Sequence, residues 1–235
     1  MIVTIHQPHY LPWLGYFDKA DRADILILLD DVQYKKNDWQ NRNKIRTSQG
    51  SQWLTVPIIS NFGQKIHEVQ IDNSSQWRKA HLRAIELNYG KAKFFEKYIP
   101  EITKIYETEW ERLIDINMAF LKVLIQWLNI ETQIILSSNY QVTEESTQRL
   151  VDLCLQFKAD TYLSGADGGK YLEFEKFEQN HIKVETQDYC HPVYEQLWCN
   201  DNNPFISHMC ALDLLFNHGE ESLKVLRNGV STLGG

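Results

Sequence analysis

Two histidines near the start of the chain, His6 and His9, lie in a stretch rich in proline and aromatic residues. An imidazole can act as a general acid or base near neutral pH, hold a phosphate by hydrogen bonding, or bind a metal. Gln7 and Tyr10 add an amide and a phenol to this stretch. We predict that His6 and His9 are catalytic and that Gln7 and Tyr10 bind substrate. The alternative is a loop packed by its aromatic residues, with both imidazoles at its surface.

A second polar group, formed by Asp30, Asp31 and Gln33, comes at the end of the apolar run Ile25–Leu29. Its carboxylates could coordinate Mg²⁺, bind sugar hydroxyls or orient a histidine. The competing interpretation is an acidic turn that faces solvent. We predict that all three residues bind substrate.

Aromatic, amide and cationic side chains are mixed between Trp39 and Lys44. Arg42 can grip a phosphate or carboxylate through two hydrogen bonds, Trp39 can stack on a sugar or base, and amides can bind hydroxyls. The mixture indicates a loop for a polar ligand, although an exposed polar loop is the alternative. We predict that Trp39, Asn41, Arg42 and Asn43 bind substrate.

The segment Ser164–Gly169 joins a predicted strand directly to a predicted helix. Backbone amides and a helix N-terminus at such a turn can cradle an anion, although the segment has neither the Walker pattern nor the dinucleotide fingerprint. An ordinary glycine-rich turn is the alternative. We predict that Ser164 and Gly165 contact substrate. His81, which shares a predicted helix face with Trp77, completes the substrate-binding set.

The elements that must position these residues begin with two apolar, β-branched runs, Met1–Ile5 and Ile25–Leu29, separated by the predicted helix Leu14–Ala23. A strand, helix and strand in this order make parallel neighbours, and open parallel sheets bind ligands at the carboxyl ends of their strands. His6 and Asp30 should therefore lie at one sheet edge. The remaining predictions are strands at Trp53–Ile59, Gln133–Leu136, Thr161–Leu163 and Ile182–Thr186, and helices at Trp77–Leu87, Tyr98–Leu128 (one long or broken segment), Glu144–Phe157, Gly168–Gln179 and Met209–Phe216.

These elements predict an α/β fold with a mostly parallel sheet flanked by helices and a helical insert at about residues 74–130. The chain has 235 residues, 43% of them hydrophobic, and no linker or repeat, so residues 1–235 are predicted to form one domain. Asp30–Gln52 is predicted to be a long surface loop with at most one hairpin. Asp213, an acid inside an apolar helix, is expected to tie that helix to the N-terminal loop, and Gly234–Gly235 to be frayed.

Charge and composition exclude several classes of protein. Lys and Arg total 24 against 31 Asp and Glu, a net charge of -7, which argues against nucleic-acid binding through a basic surface. The start lacks the features of a secretory signal, and no apolar run is long enough to insert into a membrane, so we expect a cytoplasmic protein. The four cysteines form no CxxC pair, which predicts reduced structural thiols and no zinc site.

Several segments taken together resemble the WbqC-like family over essentially the whole chain: His6–Phe17, Asp30–Tyr34, Trp39–Asn43, Leu163–Gly165, Tyr194–Gln196 and Leu212–Gly219. The first and third are the most distinctive. Cys210 departs from the pattern, because a small hydroxyl residue is expected there. The resemblance implies a bacterial protein associated with the assembly of surface polysaccharides such as O-antigen, where amino sugars are built on nucleotide carriers and then modified.

The histidine loop after the first strand and the late strand followed by Ser-Gly also resemble the Rossmann-like nucleotidylyltransferases and adenylate-forming enzymes, whose paired histidines stabilise a phosphate transition state. We therefore predict a transferase that moves an acyl, aminoacyl or nucleotidyl group and acts on a nucleotide-activated or phosphorylated amino sugar. Trp39 and Asn41 would contact the sugar or base, and Arg42 the phosphate.

Two other functions stay open at this point. One is a non-catalytic protein that binds a sugar nucleotide or a partner in the same pathway. The other is a metal-dependent hydrolase that uses His6, His9 and Asp30 or Asp31. The helical insert could cap the site or form the interface of a homodimer, and the sequence favours neither.

Overall fold

Nine strands and eight α-helices occur in residues 1–229, the part of the chain that this computed structural model describes. The strands are β1 Ile2–His6, β2 Ile25–Leu28, β3 Arg42–Thr47, β4 Gly50–Thr55, β5 Ile58–Ile59, β6 Gln70–Ile71, β7 Gln133–Leu136, β8 Thr161–Ser164 and β9 Lys183–Thr186. The helices are α1 Leu14–Asp21, α2 Trp77–Tyr89, α3 Phe95–Glu107, α4 Leu113–Trp127, α5 Ser146–Gln156, α6 Phe174–Gln179, α7 Ala211–His218 and α8 Ser222–Arg227. None of these helices is both long and apolar enough to cross a membrane. The predicted fraying of Gly234–Gly235 concerns residues outside the described range.

Five of the strands form one parallel sheet in the order β7-β2-β1-β8-β9. Numbered along the chain, these five strands follow the order 3-2-1-4-5. The chain builds outward from β1 on one side and then returns to its other side with β8, so the strand order reverses between β1 and β8. The predicted α/β class, with a parallel sheet flanked by helices, is confirmed.

The two faces of the sheet bury different side chains because neighbouring residues of a strand point to opposite faces. Val3 and Ile5 face a core shared with α5 and α6, whose members include Cys154 and Phe177. Leu26 and Leu28 face a larger core that includes α1, the middle helices and α7. The sheet is therefore covered on both sides, as parallel sheets require.

The predicted helical insert consists of three helices, α2, α3 and α4, between residues 77 and 127. The apolar spacing continues from α3 into α4, but the helix is broken at residues 108–112. There the backbone of Ile71 donates to Glu111 and that of Leu113 donates to Val69, so this segment pairs with β6 and cannot be helical. The insert packs against α7 in the larger core.

The hairpin allowed by the prediction for Asp30–Gln52 is present, but the segment is not a surface loop throughout. The hairpin of β3 and β4 begins at Arg42, and Arg46 is fully buried despite its charge. Its guanidinium donates to the backbone oxygens of Gly50, Asn203 and Pro204. Polar side chains with such partners can be buried, which a hydropathy pattern does not reveal.

The helix predicted at Gly168–Gln179 is also shorter than expected. Residues Gly168–Lys170 form a single 3₁₀ turn, and the α-helix begins only at Phe174. Glycine has low helix propensity, so the pair Gly168 and Gly169 favours a turn over a helical start. Consequently no α-helix starts directly at the end of β8.

Candidate functional site

A cavity of ≈ 930 Å³ opens at the carboxyl edge of the sheet, where the strand order reverses between β1 and β8. His6 lies at the end of β1, Gly165 follows β8, and Gln187 follows β9. Doubly wound parallel sheets place their ligands at such a reversal, and the volume is that of a site for a small organic ligand. We take this cavity as the candidate functional site.

The first wall of the cavity contains a cluster of three aromatic rings. The ring of His6 lies 4.6 Å from that of His9 and 4.6 Å from that of Tyr16. His6 Nδ1 is 3.0 Å from the backbone oxygen of Gln7, which can only accept a hydrogen bond. The proton of the neutral ring is therefore on Nδ1, and Nε2 is the basic nitrogen.

Both imidazoles are neutral at physiological pH. Loss of hydration lowers the pKa of His6 well below its ordinary value, with smaller contributions from the charges of Lys19 and His9. Burial lowers the pKa of His9 to about 4. His6 can therefore accept a proton or a hydrogen bond in this cavity, whereas an imidazolium that neutralises a phosphate is disfavoured.

Lys19 also lines this wall, although only 3% of its surface is exposed. Its Nζ donates to the backbone oxygen of Ile5 over 3.2 Å. Burial lowers the pKa of the amine from 10.5 to about 7, with a smaller opposing effect from Asp18. The hydroxyl of Tyr16, one helical turn earlier, has no hydrogen-bond partner in the described part of the chain, and burial raises the pKa of this phenol so that it stays protonated.

The cavity lining also contains a buried ion pair. Arg149 Nη1 donates to Asp31 Oδ2 over 2.9 Å, and Arg149 Nε donates to the backbone oxygen of Thr143. Asp31 also accepts from the hydroxyl of Ser137. Lys65 adds a second cation to the lining. The cavity lining therefore combines the cations Lys65 and Arg149, the carboxylates Asp31, Glu144 and Asp167, and the neutral imidazole of His6.

Five of the residues predicted from sequence line the cavity: His6, Gln7, Asp31, Gln33 and Gly165. His9 lies directly behind His6. Gln7 is oriented by Gln40, whose Nε2 donates to Gln7 Oε1 over 2.7 Å.

Asp30 is adjacent to Asp31 but does not line the cavity. Its carboxylate accepts hydrogen bonds from the backbone N–H of Ser138 at 2.9 Å, from the hydroxyl of Ser138 at 2.7 Å and from that of Ser137 at 3.2 Å. These bonds fix the turn after β7 against the end of β2. Ser164 is likewise buried, and its hydroxyl donates to the backbone oxygen of Gly165.

The structure places the residues predicted on the Trp39–Asn43 segment outside the cavity lining. The guanidinium of Arg42 lies 4.5 Å from the ring centre of Trp53 and donates to the backbone oxygen of Asn37. The ring of Trp39 also packs on Trp53, at 5.5 Å. Asn41 donates to the backbone oxygen of Val56 at 2.9 Å.

Asn43 has a supporting contact with the histidine loop. Its Nδ2 donates to the backbone oxygen of Leu11 at 2.5 Å. Leu11 has a φ of 47°, in the left-handed region that residues other than glycine rarely adopt. Asn43 therefore stabilises a strained turn that sets the path of the chain between His9 and α1.

Tyr10 and His81 are joined in the larger core, away from the cavity lining. Tyr10 Oη lies 3.0 Å from His81 Nδ1 and 2.5 Å from Tyr106 Oη. Burial lowers the pKa of His81 to about 4. The pairing links the histidine loop to α2 and α3 and accounts for the predicted helix face of Trp77 and His81.

Asp213 ties α7 to partners other than the predicted one. Its carboxylate accepts from Tyr89, Tyr194 and Gln196, whereas the contact with the N-terminal loop is made by the backbone N–H of Ala211, which donates to Pro12.

Cys210, where a small hydroxyl residue is expected, occupies the N-cap of α7 and makes no side-chain capping bond. Ser or Thr at an N-cap would accept such a bond. All four cysteines are free thiols, and burial raises the pKa of Cys210 to about 12.

The residues Lys19, Lys65, Arg149 and Gln187 line the cavity but were not predicted from the sequence. Two of them could have been found from their positions in the sequence. Gln187 directly follows a predicted strand, and Lys19 lies three residues after Tyr16 on a predicted helix. Gln187 Nε2 donates to Asp18 Oδ2 at 2.7 Å. Lys65 had no such signal, since it reaches the cavity from a loop between two short strands.

The described residues contain no group of three or more His, Cys, Asp or Glu side chains arranged to hold a metal ion. The predicted metal-binding set of His6, His9 and Asp30 or Asp31 is therefore not brought together. Mg²⁺ binding by a ligand-bound form of the cavity stays a prediction.

Comparison with known proteins gives a consistent relationship over nearly the whole chain. A model of the WbqC-like protein family matches residues 7–225. The chain is 40% identical over 229 residues to the uncharacterized protein Rv1507c of Mycobacterium tuberculosis, covering 96% of this chain and 97% of that protein. No solved structure matches the chain.

Proposed function

This chain belongs to the WbqC-like protein family, and from that premise we propose that it is a transferase acting on a nucleotide-activated or phosphorylated amino sugar. The observation that supports this proposal is a cavity at the strand-order reversal whose lining contains neutral His6 and the cations Lys65 and Arg149. The family resemblance suggests a bacterial surface-polysaccharide pathway of the O-antigen type as the context. Residence in the cytoplasm and a single domain over residues 1–235 are part of the same proposal.

His6 is assigned the role of general base. Its Nε2 would take the proton from an amine or hydroxyl of the acceptor as that group attacks the transferred acyl, aminoacyl or nucleotidyl group. A base must be unprotonated before the reaction, which agrees with the lowered pKa of His6. Gln7 and Gln33 are suited to hydrogen bonding with sugar hydroxyls because both line the cavity.

The phosphate contact is reassigned from Arg42 to Lys65 and Arg149. Arg42 packs on Trp53 outside the cavity lining, whereas Lys65 and Arg149 line the cavity. Lys65 is the better group to vary, because Arg149 is needed by Asp31.

We expect Lys65→Ala to weaken nucleotide-sugar binding by about tenfold or more, since a hydrogen bond to a charged group contributes roughly 1.5–3 kcal/mol. Arg42→Ala should leave binding unchanged. The measurement is the thermal stabilisation of the purified protein by UDP, UDP-N-acetylglucosamine and dTDP-glucose over a range of concentrations, because ligands of the folded state raise its apparent stability. If Arg42→Ala weakened binding more than Lys65→Ala, the phosphate contact would be assigned to Arg42. If none of these compounds stabilised the wild-type protein, the proposed substrate class would be rejected.

A second variant separates an enzyme from a binding module. His6→Asn should keep ligand binding within a few fold but slow product formation by at least ~100-fold, because it removes the base and keeps a polar side chain. Mass spectrometry of the sugar nucleotide incubated with acyl and aminoacyl donors gives the readout, with the exposed residue His181, as His181→Asn, serving as the control. A wild-type protein that binds the sugar nucleotide tightly and yields no product with any donor would favour the binding module.

A further inference from the structure

The cavity contains a lysine whose position is unusual for a structural residue. Lys19 is 3% exposed, yet none of the described residues provides a carboxylate within 4.0 Å of its Nζ. Its one hydrogen bond is to the backbone oxygen of Ile5. Buried lysines normally have a charged partner, so this amine is placed where its neutral form is stable.

The groups around Lys19 can move protons. Lys19 Nζ donates to the backbone oxygen of Ile5, the residue before His6, and Lys19 and His6 line the same cavity. Tyr16 lines the same wall with an unpartnered hydroxyl. Asp18, the neighbouring acid on α1, has its carboxylate engaged by Gln187 and Arg22.

We propose that Lys19 is a nucleophile that captures an aldehyde or ketone group of a ligand in this cavity as an imine. The ligand class is a carbonyl-bearing phosphorylated sugar, with its phosphate at Lys65 and Arg149. This inference rests on the proposed function in taking the cavity as the ligand site, and it adds a covalent step that the transfer reaction does not require.

The step is balanced without an oxidant, a reductant or a metal. The unprotonated Nζ adds to the carbonyl carbon and gives a carbinolamine, with one proton passing from nitrogen to oxygen. The carbinolamine then loses water to give the imine. Neutral His6 accepts the proton from nitrogen and returns it to the leaving hydroxyl, while the hydroxyl of Tyr16 donates a hydrogen bond to the carbonyl oxygen.

The pKa of Lys19 agrees with this role. An amine with a pKa of about 7 is roughly half unprotonated at neutral pH, whereas an ordinary lysine, near 10.5, is almost fully protonated. The neutral fraction is what attacks carbonyl groups.

Reductive alkylation tests the proposal directly. The protein is treated at pH 7 with cyanoborohydride and either formaldehyde, which is small enough to enter any cavity, or pyridoxal 5′-phosphate, which has both an aldehyde and a phosphate. Peptide mapping by mass spectrometry then gives the initial rate at each lysine. We expect Lys19 to be modified at least ~10-fold faster than Lys79 and Lys122, two exposed lysines on α2 and α4.

Two further measurements keep the test decisive. The rate at Lys19 should rise with a midpoint near pH 7. Lys19→Arg keeps a donor to Ile5 but cannot form an imine, so it should remove the fast phase while thermal melting verifies its fold. A rate at Lys19 no faster than at Lys79 with both aldehydes would overturn the proposal.

The same experiment distinguishes this inference from the proposed function. If UDP-N-acetylglucosamine stabilises the protein but Lys19 is not unusually reactive, only the imine step fails. If Lys19 is modified rapidly but no sugar nucleotide binds or protects it, the imine site stands and the sugar-nucleotide transferase is rejected.

Discussion

Lowering the pH from about 7.5 to about 5 should reduce the free energy of unfolding by roughly 4 kcal/mol through two buried histidines, His9 and His81. Burial lowers the pKa of each imidazole from 6.5 to about 4 in the folded protein. Both side chains are more than nine-tenths inaccessible to solvent, so water cannot readily stabilise the charged ring. Each histidine is expected to account for about half of the loss.

The sign follows from which state binds the proton first. Above pH 6.5 both the folded and unfolded states are neutral at these positions, and neither contributes. Between pH 6.5 and pH 4 the unfolded chain takes up protons that the folded protein excludes, so stability falls as the pH falls. Below pH 4 both states are protonated and the loss levels off.

Urea unfolding at a series of pH values checks this expectation. His9→Asn and His81→Asn should each flatten the profile by about 2 kcal/mol over this range, whatever they do to stability at pH 7.5. His181→Asn is the matched control, because His181 is exposed and has a φ of 57°, which asparagine tolerates. A profile equally steep in wild type and in both buried-site variants would show that other groups cause the acid sensitivity.

Replacing Asp213 by alanine is expected to destabilise the protein by about 3–5 kcal/mol. This carboxylate is 0% exposed and accepts hydrogen bonds from Tyr89 at 2.8 Å, from Tyr194 at 2.7 Å and from Gln196 at 2.7 Å. Burial raises the pKa of Asp213, and these hydrogen bonds act in the opposite direction. Alanine would leave the buried hydroxyls of Tyr89 and Tyr194 without an acceptor and would remove one of the two hydrogen bonds that Gln196 Nε2 donates.

The network reaches further than α7. Tyr89 Oη also accepts from the backbone N–H of Arg46, so one carboxylate connects α7 with α2, β3 and the segment around Gln196. Loss of Asp213 should therefore lower the stability of the larger core as a whole. The midpoint of unfolding should fall, while the slope of the transition should change little.

Thermal and urea unfolding of three variants test this account. Asp213→Asn keeps an acceptor oxygen and should lose less stability than Asp213→Ala. Asp115→Ala is the control, since Asp115 occupies the first turn of α4 but is exposed, and its loss should cost less than about 1 kcal/mol. Equal effects of Asp213→Ala and Asp115→Ala would mean that the buried bonds contribute nothing net.

Local pattern was sufficient for the five strands of the parallel sheet and for most helices. The runs at Ile25–Leu28 and Gln133–Leu136 are short and mostly apolar, so they identify strands without tertiary information. The position of His6 and Asp31 at one sheet edge followed from the same reasoning, because a parallel sheet brings the ends of its strands together.

Most differences between the predicted site and the site in the structure concern polar residues. Arg42, Asn41 and Asn43 looked like ligand-binding groups, yet the structure pairs them with a tryptophan ring and with backbone oxygens. The type of a polar residue does not reveal whether its hydrogen-bond partner is a ligand or another part of the chain. Only the folded structure decides which partner is in reach.

By itself the sequence determined the α/β class, the order of its elements and the sheet edge on which chemistry is expected, since these depend on periodicity and on the geometry of parallel strands. The tertiary structure decided which side chains face the cavity and in which protonation state. Lys19 and His9 owe their lowered pKa values to burial, and Lys65 and Arg149 line one cavity although they are far apart in the sequence. Burial and proximity are properties of the packed chain, so no local pattern contains them.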